Sequence, residues 1–592
     1  MSQDFIFGTL HTEEQRLAFE REARAGIHHF PYVSPPDPHP HQEVTLTVTL
    51  GPDVPANRVT VYYTTEDIIP YGHRGHPRSG TAVPLQHVAV EWDTLLWGYR
   101  TVWRGQIPGQ PGGTVVRYTV EAWHSATSFS RFIQDGKRLR VFGYGVDEES
   151  VAEWLRSAVI YQIFPDRFAP EPGRDFDRSA DPQHDFMGGT LRGITSRLDY
   201  LARLGVTALW LTPIFPSPTY HRYDATDYGD VDPRLGTLAD FDALVAEAHR
   251  RGIRVILDYV ANHCSDRHPA FVAAQQNRNA PTSSWFTFED WPHQYRTFFG
   301  VRTMPQFNVD DPGARNYLID HAVFWLKRGV DGFRLDYANG PSHVFWSEFR
   351  QATRAARSDS ALFGEVVHTP ALMRSYVGRM DGVLDFVILQ KMRAFFAYGT
   401  LSPSEMDVFL HRHFAYFPSD FVLPAFFDNH DMNRFLWIVG NDTRRLRLAA
   451  LFLFTMPGPP ILYYGTEVGL SQDADVVQSD GWHHHGHARL PMLWGEAQDR
   501  TLYAFFQRLI HLRGEGGDVW WTSPIVPVVV DDNLGVYAYA RGPYVVVLNT
   551  RGEGVNVPLK VGRVLLTTDD RADVRSDGVH LPPYGGLVGD LS

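Results

Sequence analysis

Apolar runs at four places in this sequence end in side chains that can transfer protons or act as nucleophiles. The segment GFRLDYANG, residues 332–340, places Arg334 and Asp336 two positions apart, and Glu365 lies near the end of the run 361–367. The other two runs end in the polar residues Asp258, Asn262 and His263 and in Asn429, His430 and Asp431. A lone Arg-x-Asp is usually a surface ion pair, but side chains two apart on a strand share a face. The repetition at four run ends favours a buried catalytic site.

These residue types suit the hydrolysis of a glycosidic bond, which needs two carboxyl groups in different protonation states. Arg334 is predicted to lower the pKa of Asp336 and to keep it an anion, as a nucleophile must be. Apolar neighbours are predicted to raise the pKa of Glu365 toward that of a general acid. Asp431 and the histidines can then hydrogen-bond sugar hydroxyls. Such a mechanism requires no cofactor.

Strand and helix patterns alternate from residue 158 onward and would bring the four run ends together. The candidate strands are 158–165, 206–214, 253–260, 330–337, 361–367, 383–388, 422–431 and 459–467. This count predicts an α/β fold, a (β/α)8 TIM barrel, whose catalytic groups stand at the carboxyl ends of the strands. Arg334 and Asp336 should then point inward, while Phe333, Leu335 and Tyr337 pack outward against helices.

The chain is predicted to form three domains. Residues 1–150 carry short β-rich runs between Gly, Pro and Asp turns and predict a β-sandwich, preceded by a short helix that Thr12 caps. Residues 151–515 form the barrel, and its long third connection predicts an inserted lobe at about 264–312. Residues 516–592 form a C-terminal antiparallel β-sandwich domain.

The charge and the cysteine content of the sequence exclude several classes of binding partner and site. The net charge of −13 argues against nucleic acid or an anionic membrane. Cys264 is the single cysteine, so internal disulfides and thiolate zinc clusters are excluded. The first fifteen residues lack the basic and apolar regions of a secretory signal, and no apolar run is long enough to span a bilayer. A cytoplasmic protein with no membrane partner is expected.

The run ends lie in segments that resemble the four short motifs of the α-amylase superfamily, glycoside hydrolase family 13. These segments are LDYVANH at 257–263, GFRLDYANG at 332–340, FGEVVH at 363–368 and FFDNHDMNRF at 426–435. The β-rich N-terminal part, which is similar to starch-binding domains, and MPQFN at 304–308 resemble the neopullulanase, cyclomaltodextrinase and maltogenic amylase group. The resemblance covers roughly residues 155–590. It implies an oligosaccharide substrate, an α-glucan, and a homodimer formed through the N-terminal domain.

The resemblance also implies residue roles. Asp336 matches the family nucleophile, Glu365 the acid/base and Asp431 the carboxylate that stabilises the transition state. The residues that match substrate-binding positions are Tyr223, His263, Arg334, His430, Asn339, Gly340, Val367, His368 and Arg434.

The sequence departs from that group on the acceptor side. Gly340 stands where an acidic residue is typical, and Val367 stands where an aromatic residue is typical, so an unusual leaving group is expected. Gln306 and Gly340 also leave the calcium site of amylases incomplete, and we predict no calcium there. A weak calcium site is conceivable in the loop that contains Asp175, Asp177, Asp181 and Asp185, but a solvated loop is favoured.

Two further features have simpler interpretations than metal binding or thiol catalysis. The run GWHHHGHARLPMLW, residues 481–494, resembles a family segment after the eighth strand, so its histidines are predicted to contact substrate or solvent. Cys264 is predicted to be a buried structural thiol.

The sequence therefore predicts a retaining hydrolase of small or cyclic maltodextrins, with a cyclic maltosyl-maltose or another mixed α-1,4/α-1,6 cyclic substrate conceivable. The alternatives are a 4-α-glucanotransferase or isomerising transglycosylase that uses the same residues and, more remotely, a catalytically silent carbohydrate-binding homologue.

Overall fold

The computed structural model describes residues 12–29, 33–135, 138–148, 151–477 and 483–591. Its first element is the helix Glu13–Ala25. Thr12 caps this helix, because its hydroxyl accepts a hydrogen bond from the backbone N–H of Gln15 at 3.1 Å and the Gln15 side chain accepts one in return. The predicted start of this helix is confirmed.

Antiparallel sheets with a shared apolar core follow the helix. One sheet contains Ile27–His28, Val33–Ser34, Val44–Leu50, Gln86–Asp93 and Gly98–Ile107. The other contains Arg58–Thr64, Thr81–Pro84, Thr114–Trp123, Ser130–Phe132 and Phe142–Val146. Along Val44–Leu50, residues 44, 46, 48 and 50 are apolar and buried, which is the alternation expected of a strand that faces a core.

Parallel strands then close into a barrel. They are Ile160–Ile163, Ala208–Leu211, Arg254–Tyr259, Gly332–Leu335, Ala361–Gly364, Gly382–Val383 and Ile461–Tyr463. The first of them pairs with both the second and the last. Between Gly382–Val383 and Ile461–Tyr463 the ring is completed by single bridges, Gly382 to Val422 and Ala425 to Pro460. The predicted TIM barrel is confirmed.

Two predicted barrel strands differ from the structure. The seventh, 422–431, is not a continuous strand, and Pro424 inside it has no N–H to donate to a ladder. The sixth, 383–388, ends early because Asp385 caps the helix Phe386–Met392 by accepting a hydrogen bond from the N–H of Ile388 at 2.9 Å.

Helices surround the barrel, and the strands alternate between its interior and these helices. The helices of this part are Glu153–Ser157, Pro165–Phe168, Leu191–Ser196, Leu198–Leu204, Leu238–Arg250, Pro312–Lys327, His343–Ala356, Pro370–Arg374, Phe386–Met392, Pro403–Tyr416, Phe435–Ile438, Thr443–Thr455, Arg500–Gly516 and Val519–Thr522. Trp210, Ile256 and Phe363 join a core inside the ring, whereas Phe333 and Leu335 belong to the core that includes the helices. The outward packing predicted for these two residues is confirmed.

Tyr337 does not pack outward, because the strand Gly332–Leu335 has already ended. Its φ of 40° lies in the left-handed region, and its ring meets Phe298 and Phe299 of the inserted segment instead. That segment contains the helix Pro269–Gln276 and the strands Phe288–Asp290 and Gln294–Tyr295.

The C-terminal part is antiparallel. One sheet contains Val526–Asp531, Val536–Arg541, Tyr544–Asn549, Val561–Thr567 and Gly586–Leu591, and a smaller one contains Val555–Val557, Asp573–Arg575 and Gly578–Leu581. The three domain boundaries stay predictions. Across the described residues, no helix combines the length and the apolar character that a membrane crossing requires.

Candidate active site

Arg334 links carboxylates at the ends of three neighbouring barrel strands. Its side chain is fully buried. The terminal nitrogen Nη1 donates to Asp258 Oδ1 at 2.6 Å and to Asp336 Oδ1 at 2.8 Å, and Nη2 lies 2.7 Å from Glu365 Oε2. The predicted contact between Arg334 and Asp336 is confirmed, but the same guanidinium also binds Asp258 and Glu365.

Exposure separates the carboxylates that face the cleft from the one behind them. The side chains of Asp336, Glu365 and Asp431 are 9%, 14% and 26% exposed. Those of Asp258 and Arg334 are 0% exposed. A molecule in the cleft can therefore touch the first three carboxylates, while Asp258 acts on it only through the side chains that bind it.

A hydrogen-bond network behind the cleft orients Tyr223 and His430. Asp258 Oδ2 accepts from Trp210 Nε1 at 3.1 Å and from the Tyr223 hydroxyl at 2.9 Å. The Tyr223 hydroxyl lies 2.6 Å from His430 Nε2, and the two rings are stacked at 5.4 Å. Gln162 Nε2 lies 2.8 Å from His430 Nδ1. Since an amide nitrogen only donates, His430 Nδ1 accepts and its ring proton sits on Nε2.

Asp431 is held by a second arginine, Arg489. Arg489 Nη2 donates to Asp431 Oδ1 at 2.8 Å, and its Nε donates to the backbone oxygen of His430 at 2.7 Å. Asp431 Oδ2 lies 3.1 Å from His430 Nε2. The backbone N–H of Asp431 donates to Asn429 Oδ1 at 2.9 Å. Both oxygens of the carboxylate are thus fixed in the cleft by positively charged or polar donors.

Burial and neighbouring charges give these carboxyl groups different proton affinities. Burial raises the pKa of Asp258 and of Asp336 to about 7 in each case, and the charge of Arg334 opposes this only in part. Burial also raises the pKa of Glu365 against the same charge. Burial acts likewise on Asp431, but His430 and Arg489 outweigh it, so that its pKa lies below the usual range. Near neutral pH, Asp431 is an anion and protons remain among the carboxyls around Arg334.

The expectation that Arg334 lowers the pKa of Asp336 is therefore wrong in its net direction. One guanidinium is divided among three buried carboxylates, and its attraction does not offset the hydration that Asp336 loses. The raised pKa expected for Glu365 is confirmed in direction.

The inserted segment brings aromatic side chains to the cleft. Phe298 stacks on His263 with 4.4 Å between ring centroids, and burial lowers the pKa of His263 to about 3. Phe298 and Phe299 meet Tyr337 at 5.0 and 5.1 Å. The left-handed backbone at Tyr337 turns its N–H toward Glu365, where it donates to Oε2 at 3.2 Å. A strained residue thus helps to position the candidate acid.

Gly340 leaves space for the side chain of Asn262. A Cβ atom at position 340 would lie 2.1 Å from Asn262 Oδ1 and 2.9 Å from Tyr337 Cδ1. Asn262 Oδ1 accepts a hydrogen bond from Gln306 Nε2 at 2.9 Å. These residues do not fit calcium at the amylase position, because the amide oxygen is engaged and no carboxylate is supplied. Asn339 and Gly340 also line a cavity of about 280 Å³ next to Gln306.

The acidic loop near residue 180 is folded on its own backbone. Asp177 Oδ1 accepts from the N–H of Ser179, and Asp181 Oδ1 accepts from that of Gln183, each at 2.9 Å. Asp185 Oδ2 accepts from the N–H of Asp181 at 2.9 Å. In the part of the chain that the structure describes, no three His, Cys, Asp or Glu side chains, those of Asp175, Asp177, Asp181 and Asp185 included, form a group able to hold a metal ion.

The histidine run meets this loop beside Asp431. The N–H of Gly486 donates to Gln183 Oε1 at 2.7 Å. His483 and His485 are stacked at 5.5 Å, and His485 is near enough to Asp431 and Arg489 for their charges to act on its pKa, which burial lowers to about 3. Gly481 and Trp482 of the run lie outside the described residues.

Some of the predicted substrate-binding residues do not contact the catalytic carboxylates. Val367 packs against the core inside the barrel, and the His368 ring meets the ring of Phe19 at 5.7 Å. Arg434 is buried, and donates to the backbone oxygens of Tyr464 and Ala488 at 2.9 and 3.0 Å. The structure does not bring Arg434 to the cleft, since its side chain runs over the Tyr463 ring into the barrel wall.

Sequence reasoning placed Asp258 among the polar residues of the site without giving it a role, and it did not identify three others that shape the site, namely Trp210, Gln162 and Arg489. Strand alternation could have found Trp210 and Gln162, because both point into the barrel from the same positions as its apolar core. Arg489 carried no such signal, since it lies far along the chain at the end of the short 3-10 helix His485–Arg489. Cys264 is buried, as predicted, and burial raises the pKa of its thiol.

Comparisons with known proteins agree with this geometry. The alpha-amylase catalytic-domain family model matches residues 162–507. Neopullulanase 2 of Thermoactinomyces vulgaris is 38% identical over 494 residues, which are 77% of this chain and 82% of that protein. A solved cyclomaltodextrinase has a TM-score of 0.68 and 28% identity, with 96% of this chain and 99% of that chain covered.

A further solved structure is the cyclic alpha-maltosyl-(1→6)-maltose hydrolase from Arthrobacter globiformis, in complex with that cyclic sugar. Its TM-score is 0.65 at 31% identity, and the similarity covers 74% of this chain and 100% of that chain. The matched barrel contains Arg334 and all four carboxylates described above. The chain thus belongs to the α-amylase family and is a glycoside hydrolase that acts on α-glucans.

Proposed function

We propose that this enzyme is a retaining α-glucoside hydrolase of small or cyclic maltodextrins. The observation that carries the proposal is the binding of Asp336 and Glu365 to the two terminal nitrogens of Arg334. Two carboxyl groups that bind neighbouring nitrogens of one guanidinium lie close together, as the nucleophile and the acid/base of retaining glycosidases do at about 5 Å, whereas the two groups of inverting enzymes stand farther apart.

In the first step the Glu365 carboxyl group gives its proton to the glycosidic oxygen, and Asp336 attacks the anomeric carbon as the leaving sugar departs. In the second step Glu365, now an anion, takes a proton from water, and the water oxygen displaces Asp336. Arg334 stabilises whichever of the two groups is ionised. Asp431, an anion beside Arg489, binds ring hydroxyls and opposes the positive charge that develops on the sugar.

The names of the similar proteins support the substrate class. They include a neopullulanase, a cyclomaltodextrinase and a cyclic maltosyl-maltose hydrolase. A substrate that joins α-1,4 and α-1,6 bonds in a small ring fits an enzyme whose acceptor side differs from the usual motif at Val367. The reaction as written needs no cofactor, so dialysis against a chelator should leave activity unchanged.

The test is a comparison of purified enzyme on maltotriose, cyclodextrins, pullulan, panose and cyclic maltosyl-maltose, with the first-formed anomer read by proton NMR. Release of the α-anomer and preference for the small or cyclic sugars support the proposal. Release of the β-anomer contradicts the retaining mechanism, and preference for long linear glucans contradicts the substrate class.

A second candidate is a 4-α-glucanotransferase with the same residues, in which a sugar replaces water in the second step. Longer or rearranged products at high substrate concentration would favour it. A catalytically silent homologue is disfavoured because the three carboxylates that face the cleft are all present.

We also propose a cytoplasmic homodimer. The edge strand Gln86–Asp93, the turn after it and the start of the strand Gly98–Ile107 expose Trp92, Trp97 and Tyr99 at 49%, 76% and 67%, and such an aromatic patch suits a protein interface. Light scattering of the wild-type protein and of Trp97→Ala tests this, and a wild-type monomer at micromolar concentration refutes it.

A further inference from the structure

The helix Glu13–Ala25 reaches the barrel although it belongs to the N-terminal part of the chain. None of its residues is buried, and Leu17 and Phe19 are 46% and 44% exposed. Phe19 of this helix contacts the barrel, where its ring lies 5.7 Å from that of His368, edge to face. His368 follows the candidate acid Glu365 by three residues, so this contact lies beside the strand end from which the leaving group is protonated.

The helix is held in this position by its C-terminal end. Arg24 pairs with Glu20 at 3.0 Å and with the buried Asp93 at 3.4 Å. The N–H of Gly51 donates to the oxygen of Gly26 at 2.9 Å, and the N–H of Asp53 donates to that of Ala25 at 3.2 Å. The attachment to the first sheet therefore fixes the C-terminal end of the helix, and with it the position of the exposed Phe19 ring next to His368.

We propose that Phe19 and His368 form an aromatic platform for a sugar of the leaving group, which supplies the ring that Val367 does not. This rests on the proposed function. Val367 is aliphatic and packs against the barrel core, so it offers no flat face. The hydrophobic C–H face of a glucosyl ring can stack on the exposed part of Phe19, with the neutral imidazole of His368 at its edge. The N-terminal helix would thereby determine acceptor-side specificity.

The matched control for Phe19 is Leu17. Both are large, exposed and on the same helix, but two positions turn a helix by about 200°, so Leu17 points away from His368. The test compares Phe19→Ala and Leu17→Ala on a cyclodextrin, which places sugars on the acceptor side, and on 4-nitrophenyl α-maltoside, whose leaving group contains no sugar.

Phe19→Ala should lower kcat/KM for the cyclodextrin by about three- to tenfold, because a sugar of the leaving group loses its stacking contact with the Phe19 ring. The kcat/KM for the aryl substrate should not change, because its leaving group places no sugar on that ring. Leu17→Ala should change neither. Addition of Val367→Trp to Phe19→Ala should recover activity on the cyclodextrin. Equal losses on both substrates, or no loss on the cyclodextrin, would overturn the platform. If wild-type enzyme cleaves neither substrate, the proposed function itself has failed.

Discussion

Asp258→Asn should move the acid limb of the pH–rate profile to lower pH. Asp258 is not exposed to the cleft, but it shares Nη1 of Arg334 with the candidate nucleophile Asp336. Asp336 must be ionised to attack, and its pKa is raised to about 7, so activity falls as the pH drops through that value. Replacement of the neighbouring carboxylate by a neutral amide makes Asp336 easier to ionise. The pKa of Asp336 must therefore decrease, and the acid limb of the profile must move to lower pH with it.

The size of the shift follows from the contacts. The two carboxylates bind one nitrogen at 2.6 and 2.8 Å, so their nearest oxygens are close neighbours. Unit charges about 5 Å apart interact with about 3 kcal/mol at an effective dielectric constant of about 20. That corresponds to about two pKa units, and because Asp258 is itself partly protonated near pH 7, we expect a shift of about one to two units.

The assay is kcat/KM for an aryl α-maltoside from pH 4 to 9. Glu467→Gln is the matched control, because Glu467 is also a buried carboxyl group that accepts from two aromatic donors, the hydroxyls of Tyr161 and Tyr200 at 2.8 and 2.6 Å. Both variants lose comparable hydrogen bonds, but Glu467 does not bind Arg334. An acid limb that stays in place in folded Asp258→Asn, or that moves equally in Glu467→Gln, would refute the reasoning.

Four other variants test separate parts of the site. Asp336→Asn should reduce turnover of maltotriose by several orders of magnitude, and retained turnover contradicts the assignment. Glu365→Gln should keep most of its kcat/KM for α-maltosyl fluoride, whose leaving group needs no proton, although its kcat should fall because Glu365 also takes the proton from water in the second step. Gly340→Ala should lower the free energy of unfolding by about 1–3 kcal/mol, because the added Cβ overlaps the Asn262 side chain. Gly514→Ala is the control and should not lower it, because no atom lies within contact distance of a Cβ at position 514. Urea titrations of both variants measure the difference. His485→Ala should raise KM several-fold and leave the acid limb unchanged, since His485 is neutral near pH 7; an unchanged KM would remove His485 from the cleft.

The barrel could be predicted from sequence because strand alternation records which side of the sheet is buried. Phe333 and Leu335 face the helices for this reason, and Arg334 faces inward between them. The pattern could not show where a strand stops. Tyr337 continues the apolar alternation of its strand, yet a left-handed φ redirects it, and Asp385 begins a helix inside an apolar run. Local capping and strain override periodicity at strand ends, where the chemistry also lies.

The electrostatics of the site could be predicted only in part. The contact between Arg334 and Asp336 could be predicted, because the two residues are two positions apart on one predicted strand. The contacts of Arg334 with Asp258 and Glu365 could not, because they depend on the register of the neighbouring strands. The sign of the pKa shift of Asp336 depends on this division and on burial, neither of which is local in sequence. Arg489 illustrates the same limit, because this charged partner of Asp431 lies 58 positions farther along the chain, in a short 3-10 helix.

The unusual acceptor side need not come from Gly340. The space beside that residue is filled by Asn262, which in turn is fixed by Gln306, so the glycine, the asparagine and the glutamine depend on one another for packing. A larger residue at 340 would displace Asn262 before it reached a sugar. The remaining departure, Val367, is the one that changes what a leaving group meets, and Phe19 is the side chain placed to compensate for it. If this is correct, substrate preference should follow substitutions at position 19 and position 367 together, and should be indifferent to a change at position 340 that preserves the fold.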